Sequence, residues 1–186
     1  MHRKQRFGNI TKMIEFVLVF GLLVVPAAAF VQLTPGKITA AGKVKVHGQP
    51  VNPETMIYSG TELETAKASS ALVSLGELGS VEIKENSEAR LDFNEVRFAV
   101  SLFGNGSLKV ATKAGVNASV RTADVQVAVD HTKANEFTIE ATCGKVVVSA
   151  ISGRVLLATG GNKLSVKEIL AGTTERVDTP NPGGCK

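Results

Sequence analysis

From residue 43 onward, apolar residues fall at every second position in a series of short segments. KVKV (43–46), SALVSL (70–75), SVEI (80–83), ARLDF (89–93), VRFAVSL (96–102) and SLKVAT (107–112) come first. ASVRT (118–122), VQVAV (125–129), FTIEA (137–141), KVVVSA (145–150), RVLLAT (154–159) and KLSV (163–166) follow. A period of two places one face of a strand in a core and the other in water. Val, Ile, Thr and Phe suit that pleated, half-buried surface. Gly, Asn, Ser and Asp separate the segments, as in LGELGS, FGNGS, ISGR and TGGNK. These are turn residues, because Gly and Asn accept positive φ at little cost. Asn105-Gly106 is the strongest signal for a two-residue hairpin. Strand signals recur about every 8–12 residues, and no segment past residue 37 has a helical period. The pattern predicts an all-β domain, solenoid-like or sandwich-like, built of many short strands.

The first 36 residues have another texture. Arg3, Lys4, Arg6 and Lys12 precede Glu15, and residues 16–36 carry no charge. The apolar run 16–25 is followed by Pro26 and then Ala27-Ala28-Ala29. A basic start, an apolar stretch of about 7–15 residues and an A-x-A site make the layout of a secretory signal peptide, here with cleavage after Ala29. A helix that spans the membrane needs about 20 apolar residues. The run extended to Leu33 comes close, so an uncleaved anchor is the alternative. Either reading puts the β domain outside the cytoplasm. The expected organisation is a signal peptide or anchor at 1–29, a linker at 30–42, the β domain at 43–177 and a flexible tail at 178–186. The expected location is the periplasm or the extracellular space. With an anchor it becomes the inner membrane, crossed once, with the β domain outside.

Charge narrows the partners. The chain holds 21 Lys and Arg against 17 Asp and Glu. Four of the basic residues and one acid lie in 1–29, which leaves 17 against 16. The exported part is nearly neutral and has no Lys/Arg cluster of the kind that neutralises phosphates, so nucleic acid is not an expected partner. Contact with a membrane is expected only through the N-terminal segment.

Motifs for chemistry are sparse. His47 and His131 fall in predicted turns, no G-x-S-x-G precedes a helix, and no catalytic residues are assigned. Asp92, Asn94 and Glu95 resemble the start of a calcium loop, but Val96 and Arg97 break its pattern. Gly160-Gly161-Asn162-Lys163 lacks the spacing of a phosphate-binding loop. No metal or cofactor is expected, and no enzymatic activity. Glu82 and Glu140 have outward parity and read as solvated. Phe98 shares the parity of Val96, Val100 and Leu102 and reads as core, whereas Phe103 reads as exposed. Asn105 and Asn117 begin N-x-S patterns, which matter only in a eukaryotic secretory route. Of the two cysteines, Cys143 shares the parity of Phe137, Ile139 and Ala141 and is expected to face inward. Cys185 lies in the polar tail. Export favours oxidation, so two readings stand: a buried thiol with a separate tail thiol, or a Cys143–Cys185 disulfide that staples the tail to the body.

The order of the segments resembles the periplasmic domain of FecR-type proteins. GKVKVHGQPV is followed by Gly60-Thr61-Glu62-Leu63-Glu64-Thr65, which stands where that family has G-x-x-L-x-T. Ser69–Leu75, Gly79–Ile83 and Val120-Arg121-Thr122 fall in the places of its small-residue strand, Gly-led strand and V-x-T segment. FTIEATCGKVVVSAISGRVLL resembles the later F-x-V…G-x-V-x-V portion, with Asn135-Glu136-Phe137 where the family has G-T-x-F. The resemblance covers about residues 42–160. It implies a compact solenoid-like β domain and, for full-length members, signal relay between an outer-membrane transporter and a cytoplasmic sigma factor. About 15 residues precede the apolar run here, short for a cytoplasmic anti-sigma segment. The expectation is a stand-alone, exported, non-catalytic FecR-like module that binds an envelope protein or glycan. The alternative is a membrane-anchored relay component linked to sigma-factor regulation of uptake. The sequence leaves the oligomeric state open.

Overall fold

The structure is a computed structural model and describes residues 35–160 and 165–179. The apolar run, the Ala29 cleavage site and Cys185 lie outside the described residues. In chain order the strands are β1 (Gly36–Ala41), β2 (Val44–Val46), β3 (Gln49–Pro50), β4 (Glu54–Ile57), β5 (Thr61–Thr65) and β6 (Ser70–Ser74). A single 3-10 turn, Gly76–Leu78, separates β6 from β7 (Gly79–Ile83), followed by β8 (Ser87–Phe93), β9 (Arg97–Phe103) and β10 (Gly106–Thr112). The last seven are β11 (Asn117–Arg121), β12 (Val125–Val129), β13 (Asn135–Thr142), β14 (Lys145–Ser152), β15 (Arg154–Thr159), β16 (Ser165–Leu170) and β17 (Thr174–Asp178). The domain is all-β, as the alternation predicts. Residues 36–41 read as linker in the sequence, yet they form β1, and Ile38 is fully buried.

The strands form two sheets. One has eight strands in the order β17-β14-β13-β10-β7-β6-β1-β4. The other has nine, in the order β16-β15-β12-β11-β9-β8-β5-β2-β3. Their inward residues make one apolar cluster, which includes Leu63, Val73, Leu91, Val110, Phe137 and Leu157. Burying each such side chain contributes roughly 1.5–3 kcal/mol. Every strand from β5 to β15 alternates buried with half-buried or exposed positions, which is why the pattern was readable from sequence. Phe98 is buried and Phe103 exposed, as expected, and Glu82 and Glu140 lie on the outward parity.

The chain weaves between the sheets while it advances along both. Two strands in one sheet are followed by two in the other, as in β6–β7, β8–β9, β11–β12 and β13–β14. A pair reverses the chain direction, so the strand that re-enters a sheet runs antiparallel to the one it left. β4, β5 and β10 break the rhythm as single-strand visits, and β10 is the one whose flanking strands become direct neighbours. β11 therefore returns in the direction of β9, and β9–β11 is the parallel pair among the described strands. This overturns the hairpin expected at Asn105-Gly106. β9 and β10 belong to different sheets, so FGNGS is an arch between layers. Gly104 takes the positive φ there, +59°. Gly106 is needed for space, since a Cβ would lie 2.9 Å from Leu102 Cδ1 and from Ser87 Oγ.

Arches leave backbone groups without ladder partners, and buried groups of that kind must be satisfied. Buried Thr and Ser do this. Thr65 Oγ1 donates to Lys84 O at 2.5 Å and accepts from Ser87 N at 3.1 Å. Ser87 Oγ donates to Glu85 O at 3.0 Å and accepts from Ser107 N at 2.9 Å. Among the described residues, no buried side-chain nitrogen or oxygen lacks a partner.

Cys143 departs from its expected place. β13 ends at Thr142, so the alternation stops one residue short, and Cys143 sits exposed in the turn to β14. Gly144 follows with φ +75°.

Gly79 and Gly76 give a paired test. Gly79 has φ +127° and ψ −144°, a region open essentially to Gly alone, and an added Cβ would lie 2.1 Å from Ala111 O. Gly76 has φ +62° with nothing within 4 Å of an added Cβ. Gly79→Ala is expected to cost about 3 kcal/mol or more, and Gly76→Ala about 1 kcal/mol. Urea unfolding of both variants checks this, and equal losses would refute the steric account.

Candidate binding surface

The outward face of the nine-stranded sheet carries a depression. Its floor follows from register. Asp92 stands opposite Ala99, Ala99 opposite Ser119, Ser119 opposite Ala128, and Ala128 opposite Leu156. Three small side chains in a row, on β9, β11 and β12, leave a trough that crosses the strands. The depression measures about 440 Å³, and its lining includes Asp92, Asn94, Arg97, Asn117, Ser119 and Ala128. It lies over the parallel pair, so the single-strand excursion of β10 sets which side chains meet there.

Two rows flank the floor as its banks: the Arg97–Asn117 row belongs to the depression's lining, and the Arg90–Arg121 row lies just beyond it. On one, Arg97 stands opposite Asn117. On the other, Ser101 lies between Arg90 and Arg121, and Arg121 stands opposite Gln126. Rows on one face of a strand are about 6.7 Å apart, so the banks are separated by about 13 Å. The charges differ in partnership. Arg90 lies 3.4 Å from Asp92 and 3.9 Å from Glu62. Among the described residues, Arg97 and Arg121 form no ion pair at all. Asn94 closes the β8–β9 turn, its Oδ1 accepting from Val96 N at 3.0 Å and Arg97 N at 3.1 Å. That is a turn-stabilising role, not a calcium loop.

A polar knot fixes the far corner. Arg154 on β15 donates through Nε to Asp130 at 3.0 Å and through Nη1 to Glu168 at 2.9 Å. Asp130 also accepts from Thr132 N at 3.0 Å and Thr132 Oγ1 at 2.7 Å. Buried Asn135 donates to Asp130 O and Lys133 O, each at 2.8 Å, and accepts from Arg154 N at 2.8 Å. These bonds tie the 130–134 loop to the end of β12, where Ala128 and Val129 line the depression. The Thr132 hydroxyl, then the Arg154 guanidinium and the Thr132 amide, hold the Asp130 carboxyl well below the usual carboxylate range.

Beyond the trough the same face carries exposed apolar residues interleaved with the Arg154–Glu168 pair, Glu168 standing opposite Leu156. Leu156, Val166 and Leu170 are 40%, 60% and 55% exposed. All three have outward parity on β15 and β16.

The residues singled out from sequence do not converge. His47 and His131 are exposed in separate turns. Among the described residues, no group of three or more His, Cys, Asp or Glu is placed to hold a metal ion. Gly160 donates its amide to Asp124 O at 3.0 Å, and residues 161–163 lie outside the described part. Cys143 Sγ lies 3.7 Å from the Asn105 side-chain amide. Thr179 donates its amide to Gly144 O at 2.9 Å, so the described chain ends beside the Cys143 turn. No described helix is long and apolar enough to cross a membrane. The trough residues were missed, although Arg97, Ala99, Asn117, Ser119 and Arg121 all fall on readable outward parity. Nothing in the sequence shows that β9 and β11 are neighbours.

The chain is similar in fold to a putative anti-sigma factor from Parabacteroides distasonis ATCC 8503, known from structures at 1.65 and 2.50 Å resolution. The TM-score is 0.53 at 19% identity for each, over 67% of this chain. The chain spans little more than half of that protein, 57% and 56% in the two structures. No family model and no curated protein matches the sequence.

The depressed Asp130 carboxyl has a consequence for acid stability. A group whose pKa is lower folded than unfolded stabilises the fold above its unfolded value, near 3.9, and loses that contribution as pH falls toward its folded value. Asp130→Asn is therefore expected to lower the urea midpoint at pH 7 and to flatten its fall below pH ~4. Unchanged midpoints at both pH values would exclude the knot as a stabilising element.

Proposed function

We propose that this chain is a non-catalytic, exported binding module that docks another envelope component on the outward face of its nine-stranded sheet. The observation that carries this reading is the trough. It is open, it is floored by small residues, and it is lined by Arg97, which has no ion-pair partner among the described residues, while the equally unpaired Arg121 stands on the row beyond the floor. Surface polar groups left without partners inside a fixed concavity favour recognition of a complementary partner. The resemblance to FecR-type domains and the basic-apolar-small leader support an extracytoplasmic location. A photo-crosslinking residue at Ser119, in cells, tests the docking face. A defined adduct is expected there and not from Ser80, which lies on the outward parity of the eight-stranded sheet. No adduct, or equal adducts from both positions, would refute it.

A second reading is favoured by the fold likeness to a putative anti-sigma factor. In it the module belongs to a signal relay and reports to a sigma regulator. Deleting the gene should then change the transcripts of an envelope uptake system, and an unchanged profile would sink the relay while leaving the binding module standing.

Export and the staple are tested together by intact mass. The leader reading expects a soluble envelope protein that begins at Phe30. A Cys143–Cys185 bond would lower its mass by about two protons relative to the reduced chain. The end of β17 beside Gly144 supports such a bond.

A further inference from the structure

The trough's geometry is specific enough to name a ligand class, an inference that rests on the docking face proposed above. We propose that the trough takes an extended acidic segment of a partner protein, with two adjacent carboxylates followed about three residues on by a large apolar side chain.

The argument begins with spacing. Arg97 and Arg121 stand on opposite banks and on adjacent strands. Along the trough they are offset by one strand spacing, about 4.8 Å, and each lies about 6.7 Å to one side of the small-residue floor. An extended chain advances about 3.3 Å per residue and turns successive side chains to opposite sides. Laid over Ala99, Ser119 and Ala128, it points two consecutive acidic side chains at the two guanidinium groups. A helix does not match this, because adjacent side chains on a helix diverge by about 100° and cannot reach both banks across a shallow floor.

The floor row then runs from Ala128 to Leu156. Leu156 lies two strand spacings beyond β11, about 10 Å, which is three residues of extended chain. There Leu156, Val166 and Leu170 offer exposed apolar surface. An apolar anchor next to charge-assisted hydrogen bonds combines the two terms that dominate small interfaces. A glycan fits less well. Sugar rings stack on exposed aromatic faces, whereas Phe93 and Phe98, the aromatic residues of the lining, are 8% and 2% exposed.

The test is an NMR titration of the β domain within the full exported chain. The probe is an acetylated and amidated hexapeptide, Ala-Glu-Glu-Ala-Ala-Leu, together with its reversed sequence, because the trough does not fix chain direction. The expected result is saturable shifts of the Ala99, Ser119, Ala128 and Leu156 amides with one of the two. Affinity should drop at least tenfold for the Gln-Gln version of that peptide, and equally for Arg97→Gln and Arg121→Gln. Both arginines are exposed, so these variants should fold. Ser119→Arg, which fills the floor, should abolish binding. Shifts that map elsewhere, equal binding of the Gln-Gln peptide, or no binding of either direction would overturn the proposal. Binding in the trough by an oligomer of glucuronic acid, with neither peptide binding, would overturn it in favour of an acidic glycan. In each of those cases a surviving Ser119 crosslink keeps the docking face and removes only this ligand class.

Discussion

Every described strand but β3 gives one face to a single apolar core, and the chain can change sheets only where the corner's polar backbone finds partners. That condition governs the fold. The core supplies the driving force, but the arches decide whether two sheets can share one chain. Thr65 and Ser87 show how it is met. Their hydroxyls bond the amides and carbonyls that the ladders release, and they lie at less than a tenth of full exposure. An unsatisfied buried amide costs as much as a lost hydrogen bond or more. Small hydroxyl side chains at strand ends are therefore structural parts of the weave.

The same weave produces the binding face. β10 crosses to the other layer as a single strand, and the odd count makes its neighbours in sequence, β9 and β11, a parallel pair. Parallel register places Ala99 against Ser119 and offsets Arg97 from Arg121 by four residues. The trough, its two banks and its guanidinium pair are consequences of that count. The Asp130–Arg154–Glu168 and Asn135 bonds then hold the neighbouring loop, so the trough's far corner has a fixed shape.

The likeness to a solved putative anti-sigma factor is a likeness of the β fold. β16 and β17 are edge strands of the two sheets. Lys167 and Glu175 pair between them at 2.6 Å. The chain spans little more than half of that protein, so the likeness concerns the shared β weave and not the whole assembly.

The sequence by itself determined the central run of strands and their buried face, while β1, β3, β4, β5 and β17 were not among the segments it marked. Period-two alternation is a local property, and it gave β6 through β15 with their inward residues, including Phe98, and the outward place of Glu82 and Glu140. It failed where a local signal was absent or ambiguous. β1 was hidden by its small and polar composition, GKITAA, in which Ile38 alone is large and apolar. Cys143 kept the parity of β13, but the strand ended one residue earlier. Asn105-Gly106 has the chemistry of a tight turn, and a tight turn serves an arch as well as a hairpin. What only the tertiary structure decided is which strands are neighbours and in which direction. Register is a long-range choice made by core packing and by the number of strands between visits to a sheet. Arg97, Ser119 and Arg121 were therefore legible as outward residues but not as one surface.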